Sequence, residues 1–368
     1  MRHPVAVLCS REKGTPVRPR YLWLTATATV AVLASVLALA SAAPASEPAG
    51  GPRRAQVYAP HFEAYLPGSL AGVTRQSGAR FATIAFLQAA GKKPASACTL
   101  TWNGVSSQPI SRRGYLPGIR SLRARGGDAI ASFGGFSADQ GGTEIADSCH
   151  SVRAIAADYE QLVRLYGLHR LDMDIEANSL TNAGGINRRD KAITLLESWA
   201  RARRIPLWIQ FTLAVEPTGF DRPTMAILRN AIRNGTKVNS INLMVFDYYL
   251  GTEKKPLDMG ALAIKSAVTV HRQLTGIYRH LSGRQIWRRL GFTMLPGIDD
   301  YPGKTEVTHL PDAAAIGRFA KSRGMDFLSI WALQRDNGGC PGAIDSNTCS
   351  GIKQKWWAFS HLLEPFTS

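Results

Sequence analysis

From Gln56 onward, over about 310 residues, short apolar runs of strand character alternate strictly with longer stretches whose apolar residues recur at helical spacing. Strands are predicted at Gln56–Tyr58, Phe81–Ala89, Asp128–Phe133, Leu171–Glu176, Pro206–Ala214, Val238–Tyr248, Ile286–Met294 and Met325–Leu333. Helices are predicted between them at Tyr115–Ala124, Asp147–Tyr166, Ile186–Arg204, Thr224–Asn234, Ala261–Leu281 and Pro311–Arg323. Gly235 and Gly324 follow two of these stretches directly, as helix stop signals do. Eight strands in such an order favour a single closed (β/α)8 barrel, a TIM barrel, over a doubly wound open sheet. An open nucleotide-binding sheet would also want a Gly-x-Gly-x-x-Gly turn after its first strand, and the sequence has none.

One strand is unlike the rest. Leu171 to Glu176 reads Leu-Asp-Met-Asp-Ile-Glu, so apolar and acidic residues alternate with period two. That is a strand pattern, and it puts Asp172, Asp174 and Glu176 on one side, successive carboxylates roughly 6 to 7 Å apart. An edge strand with an acidic outer face, or a site for a hard cation, would show the same alternation. The position between two long amphipathic helices argues against both, because a parallel strand there is covered on both faces and inward carboxylates are costly without a task. Reactive residues of a barrel collect at the C-terminal ends of its strands. Glu176 falls there, as do Ser132 to Gly135, Asp247 with Tyr248, and Trp331.

The ends of the chain point to its compartment. A basic stretch through Arg20, an apolar run from Tyr21 to about Ala40 and small residues at Ala40-Ser41-Ala42 have the build of an export signal over residues 1–42, or of a membrane anchor if it stays uncleaved. A flexible leader over 43–54 would connect it to the catalytic barrel of 55–368. Outside Cys9 the cysteines form an even set, Cys98, Cys149, Cys340 and Cys349, and oxidised pairs Cys98 with Cys149 and Cys340 with Cys349 are expected. The formal charge is +17, of which the first 42 residues carry a surplus of four. No lysine and arginine block interleaved with aromatics occurs, so a nucleic-acid partner is not expected.

Four stretches in order, Asp172-x-Asp174-x-Glu176, Ser132-x-Gly134-Gly135, Met244-x-Phe246-Asp247-Tyr248 and Ser329-Ile330-Trp331 with Arg335-Asp336, resemble those of family 18 glycoside hydrolases, the bacterial secreted chitinases. The resemblance covers about residues 56 to 366 and implies substrate-assisted, retaining hydrolysis of chitin or N-acetylglucosamine oligosaccharides, an exception to the usual two-carboxylate scheme. By it Glu176 is the catalytic acid and base, Asp174 holds the substrate acetamido N–H, and Asp172 shares a proton with Asp174. Asp247, Tyr248, Met244 and Trp331 are the substrate-binding residues, Trp331 as the floor on which a pyranose stacks. Ser132 would hydrogen-bond Asp172, the two glycines would allow close backbone approach, and Arg335 with Asp336 would be an ion pair or bind ligand. No metal or organic cofactor is implied, and a monomer is expected.

The sequence departs from the family's pattern at His169-Arg170, where Asp-Gly is usual, at Phe246, where many members carry tyrosine, and at Ala177, where glycine is commoner. Without the tyrosine hydroxyl the acetamido carbonyl needs another donor, and Tyr248 is the expected one. An endo-β-N-acetylglucosaminidase acting on N-glycans and a non-catalytic chitin-binding barrel are the competing readings of the same motifs.

Overall fold

The computed structural model describes residues 56–250, 256–300, 305–344 and 346–368. The export signal and leader expected over residues 1–54, with Cys9, lie outside them. The strands are β1 Val57–Tyr58, β2 His61–Glu63, β3 Ala82–Ala89, β4 Leu100–Trp102, β5 Ala129–Gly134 and β6 Arg170–Ile175. They continue with β7 Trp208–Ala214, β8 Val238–Met244, β9 Leu290–Met294, β10 Gly297–Ile298, β11 Val307–Thr308 and β12 Phe327–Ile330. The helices are α1 Leu70–Ser77, α2 Leu116–Arg123, α3 Ile145–Ser148, α4 Val152–Tyr166, α5 Ala177–Thr181 and α6 Ala183–Ala202. After them come α7 Arg222–Asn234, α8 Met259–Ile277, α9 Gly283–Trp287, α10 Leu310–Arg323 and α11 Ala358–Leu363.

The sheet runs in the order β1, β12, β9, β8, β7, β6, β5, β3, β2 with every pairing parallel. Because β1 and β2 are two halves of one strand interrupted at Ala59-Pro60, the sheet closes on itself. Proline has no N–H for the ladder, so the first strand pairs with β12 before it and with β3 after it. The result is the expected single (β/α)8 barrel. Its strands are buried on both faces, as the continuous apolar runs require.

Helix boundaries follow their caps. In α7 the Asp221 side chain accepts the Thr224 N–H, Pro223 lies in the first turn, and Gly235 ends the helix in the left-handed region at φ 75°. The single helix expected over Asp147–Tyr166 is two, α3 and α4. Ser151 caps the second, and Cys149 between them is tied to Cys98. The strand expected from Ile286 begins at Leu290, since Ser282 and Gln285 make a reciprocal cap that starts the short α9. The strand expected through Tyr248 stops at Met244, and the chain turns left-handed at Asp247 and Tyr249, φ 50° and 53°. Strand β4, antiparallel on β3, and the small β10–β11 hairpin were not expected.

Both expected disulfides are present, Cys98–Cys149 with Cα atoms 4.8 Å apart and Cys340–Cys349 at 6.0 Å. They close loops of sequence separation 51 and 9. On chain entropy the first should stabilise the fold by about 4 kcal/mol and the second by about 2.5 kcal/mol. Paired serine substitutions at Cys98 and Cys149 are therefore expected to lower the unfolding midpoint in denaturant more than the same change at Cys340 and Cys349. Among the described residues no helix is long and apolar enough to cross a membrane.

Candidate active site

The C-terminal ends of the strands open into a cleft of about 550 Å³. Asp174, Glu176, Met244, Asp247 and Trp331 line it, together with Phe246 and Tyr249. The acidic strand thus runs from the barrel interior to the cleft. Asp172 lies deepest, completely buried, and receives three hydrogen bonds: Ser132 Oγ at 2.6 Å, Thr212 Oγ1 at 2.7 Å and Gln210 Nε2 at 2.9 Å. Burial raises its pKa, and these donors with the charge of Arg170 oppose the rise. The Ser132 bond is the one expected.

Asp174 sits one layer higher, 4 % exposed, and its Oδ1 has no hydrogen-bond partner. Burial first, then the charges of Glu176 and Asp172, push it well above the usual carboxylate range, which favours the protonated carboxyl. The donors on Asp172 come from β5 and β7, and Asp174 is not among them.

Glu176 ends the row at the mouth. Burial pushes it up to about 7, the Phe136 N–H opposing and the charge of Asp139 adding. A carboxyl near 7 can hold a proton for a leaving group and later take one from water. The next residue, Ala177, has φ 36°, in the left-handed region where glycine is at ease, so the alanine keeps a conformation that the commoner glycine would adopt freely.

Gly134 and Gly135 carry β5 past this row. A Cβ on Gly134 would lie 2.4 Å from the Asp174 carbonyl oxygen, and one on Gly135 would enter the Phe86 ring at 2.3 Å. That close approach fixes Phe86 in the cleft, where it stacks on Trp331 with ring centroids 5.3 Å apart and planes at 19°. Two non-proline cis peptides, Ala85-Phe86 and Trp331-Ala332, belong to these two aromatics. Trp331 is where a sugar-stacking residue should be.

On the opposite wall Asp247 is pushed up to about 9 by burial, by a hydrogen bond shared with Asp299, and by the charges of Asp299, Asp300 and Glu176. Its backbone N–H also donates to Asp299 Oδ2 at 3.0 Å, which holds the left-handed turn.

Tyr248 is not placed as expected. Its ring is 3 % exposed, its hydroxyl meets Ser266 Oγ on α8 at 3.3 Å, and its N–H donates to Glu306. The left-handed residues on either side turn Tyr248 into the barrel wall and Tyr249 into the cleft. Tyr249 is 63 % exposed, and its hydroxyl, raised to about 12, feels Asp247, Asp299 and Glu176.

Arg335 and Asp336 do not pair with each other. Arg335 is buried, 3.1 Å from Asp300, and also donates to the carbonyls of Pro296, Ile298 and Ser346. Asp336 accepts the N–H groups of Phe359 and Ser360 and so caps α11. His169 is at the other end of the barrel, half exposed and 3.3 Å from Asp128, remote from the cleft. Eleven cleft residues escaped the sequence reading, among them His61, Phe86, Phe136, Tyr249 and Asp300. For Tyr249 the aromatic side chain beside a matched motif was the available signal.

A barrel whose acidic strand empties beneath stacked aromatics has an architecture that glycoside hydrolases use. The chain is similar in sequence and fold to chitinases, and in fold to members of family 18. It is 28% identical over 336 residues to a probable bifunctional chitinase/lysozyme of Escherichia coli, covering 87% of this chain and 36% of that protein. It is 27% identical over 301 residues to endochitinase 11 of Metarhizium anisopliae, covering 79% of this chain and 55% of the other. The chain thus spans about half or less of the curated relatives it matches. The catalytic domain of a hyperthermophilic chitinase from Pyrococcus furiosus superposes with a TM-score of 0.72 at 26% identity, over 86% of this chain and 97% of that one. A family 18 chitinase from Flavobacterium johnsoniae shares the fold at a TM-score of 0.54 and 13% identity, over 86% and 94%. No family model matches the sequence.

Proposed function

We propose that the protein is an exported chitinase that hydrolyses β-1,4-linked N-acetylglucosamine chains with retention, using the substrate's own acetamido group as nucleophile. The observation that carries this reading is the vertical order of the acids: Asp172 held by three donors, Asp174 above it with its carboxyl pushed toward the protonated form, and Glu176 near 7 at the cleft. A neutral carboxyl at Asp174 accepts the acetamido N–H on one oxygen and keeps its proton on the other. The acetamido carbonyl is thereby aimed at the anomeric carbon, while Glu176 protonates the glycosidic oxygen. The oxazolinium that forms is cationic, and Asp172 beneath, held by its three donors, contributes negative charge to it. Glu176, now ionised, takes a proton from water, which opens the ring on the same face.

Trp331 stacks on the apolar face of the sugar that carries the reacting acetamido group. Met244 packs beside that group, and Asp247 at about 9 is a donor to it at neutral pH. The hydroxyl that steadies the acetamido carbonyl comes from Tyr249, replacing the one absent at Phe246 and taking the place expected for Tyr248. Tyr249→Phe is expected to lower kcat/KM on a chitin oligomer about tenfold, one hydrogen bond to a developing charge, and Tyr248→Phe to change it little. Steady-state kinetics of the two variants checks the assignment; the reverse order would restore Tyr248.

Export is supported by the basic and apolar N-terminal stretch over residues 1–42 and by the two disulfides, which persist in oxidising compartments. The reaction is tested by incubating the purified protein with chitin hexamer and with a high-mannose glycoprotein and identifying products by mass spectrometry. Shorter chitin oligomers support the proposal. Released glycan with an intact hexamer would move the assignment to an endo-β-N-acetylglucosaminidase.

A further inference from the structure

Among the titratable groups of the cleft that the mechanism above leaves idle is His61. It opens β2, the second half of the first barrel strand, is 1 % exposed, and lines the cleft near Asp174 and Trp331, its ring centroid 5.4 Å from that of Trp331. Its Nδ1 is 2.8 Å from Ser329 Oγ. Ser329 Oγ donates to Ala59 O at 2.9 Å, a carbonyl that also accepts from Thr83 Oγ1 at 3.0 Å, and with its proton there its lone pair faces the imidazole. Nδ1 must then carry the ring proton. Nε2 is left as a bare acceptor, buried and without a hydrogen-bond partner.

Asp174 supplies the complement. Its Oδ1 is likewise buried and without a partner. A ring nitrogen of His61 and one oxygen each of Asp172 and Asp174 lie within 4.8 Å of one another, a span that a small carboxyl rotation or one bridging water closes. Asp172 already accepts from Ser132, Gln210 and Thr212, which leaves it about one free acceptor site, whereas the ring nitrogen has no other partner. Two buried orphans of opposite need in one small volume are costly apart and satisfied together.

We propose that His61 is a positioning residue whose Nε2 accepts the carboxyl proton of Asp174 and so holds that carboxyl with its other oxygen toward the acetamido group. The inference rests on the reading of Asp174 as the carboxyl that orients the acetamido group. Burial lowers the imidazole to about 4, so the ring stays neutral and keeps its acceptor throughout the pH range in which Glu176 works. The seat of the ring also places it against Trp331, so the same side chain sets the floor of the subsite and the tilt of the acid beneath the sugar.

The test joins spectroscopy to kinetics. In full-length protein labelled with nitrogen-15 histidine, His61 is assigned by the signal lost in His61→Gln. The expected result is a neutral ring protonated at Nδ1, with an Nε2 signal that moves toward the position of a free acceptor nitrogen in Asp174→Ala. His61→Phe is expected to lower kcat on a chitin oligomer about tenfold, one hydrogen bond, with KM within about twofold, and His61→Gln, whose amide oxygen can accept, to recover most of it. A ring protonated at Nε2, or an Nε2 signal indifferent to Asp174→Ala, would overturn the proposal even in an active enzyme. The coupled signal in a protein that cleaves no chitin oligomer would leave the pair standing and remove the chitinase reading instead.

Discussion

Glu176→Gln is expected to reduce kcat on a chitin oligomer by about three orders of magnitude, within the range spanned by removal of a general acid. The glutamine keeps the shape and the hydrogen bond from Phe136 but has no proton to give, so oligomer binding should survive. The same residue sets the pH dependence. Glu176 must be protonated to act, and its pKa is pushed up to about 7, so kcat/KM should fall as pH rises through about 7. The effect on stability has a definite sign. A carboxyl whose folded pKa lies above its unfolded value contributes stability below that unfolded value. It loses that contribution as pH rises through the folded one. Glutamine avoids the loss, so the variant should melt no earlier than the parent at pH 8. A pH–rate profile beside melting curves checks both; a variant that is inactive because it is unfolded would undo the assignment.

Asp174→Asn is expected to lower kcat by about a hundredfold or more, the usual consequence of losing one preorganised group at a developing charge. An amide still fills the space and can accept the acetamido N–H on its oxygen. It replaces the carboxyl O–H by an NH2 group, which changes how that end is held and hence how the acetamido group is aimed at the anomeric carbon. The loss should therefore fall on kcat rather than KM. Because the native carboxyl is buried and burial pushes it toward the protonated form, the isosteric amide should leave the fold intact. Kinetics on an oligomer of defined length, with far-ultraviolet circular dichroism of the variant, separates the two effects. A rise in KM with kcat unchanged would mean that Asp174 only binds sugar.

Much of the barrel was legible because each strand carries a continuous apolar run bounded by turn residues, and each helix a capped amphipathic pattern. The acidic strand was legible because a period of two cannot be hidden by tertiary packing. What escaped was decided by backbone geometry that sequence pattern does not encode. Left-handed residues at 247 and 249 swapped the roles of two adjacent tyrosines. Pro60 split the first strand and set His61 on the inner face beside Ser329, a contact between residues 268 positions apart. The pairing of Arg335 with Asp300 rather than with its neighbour has the same origin. The β10–β11 hairpin lies near Asp300 in the chain, whereas Asp336 points to a helix end. Local adjacency was informative for motifs and misleading for partners.

The central claim is that the substrate's acetamido group, held by Asp174 and served by Glu176, does the bond-breaking. Proton nuclear magnetic resonance of chitin hexamer during the first minutes of cleavage, before mutarotation, tests it most directly. The account requires new reducing ends that are born as the β-anomer, and an oligomer stripped of its acetyl groups that is not cut. New ends born as the α-anomer, or equal cleavage of the deacetylated chain, would contradict it.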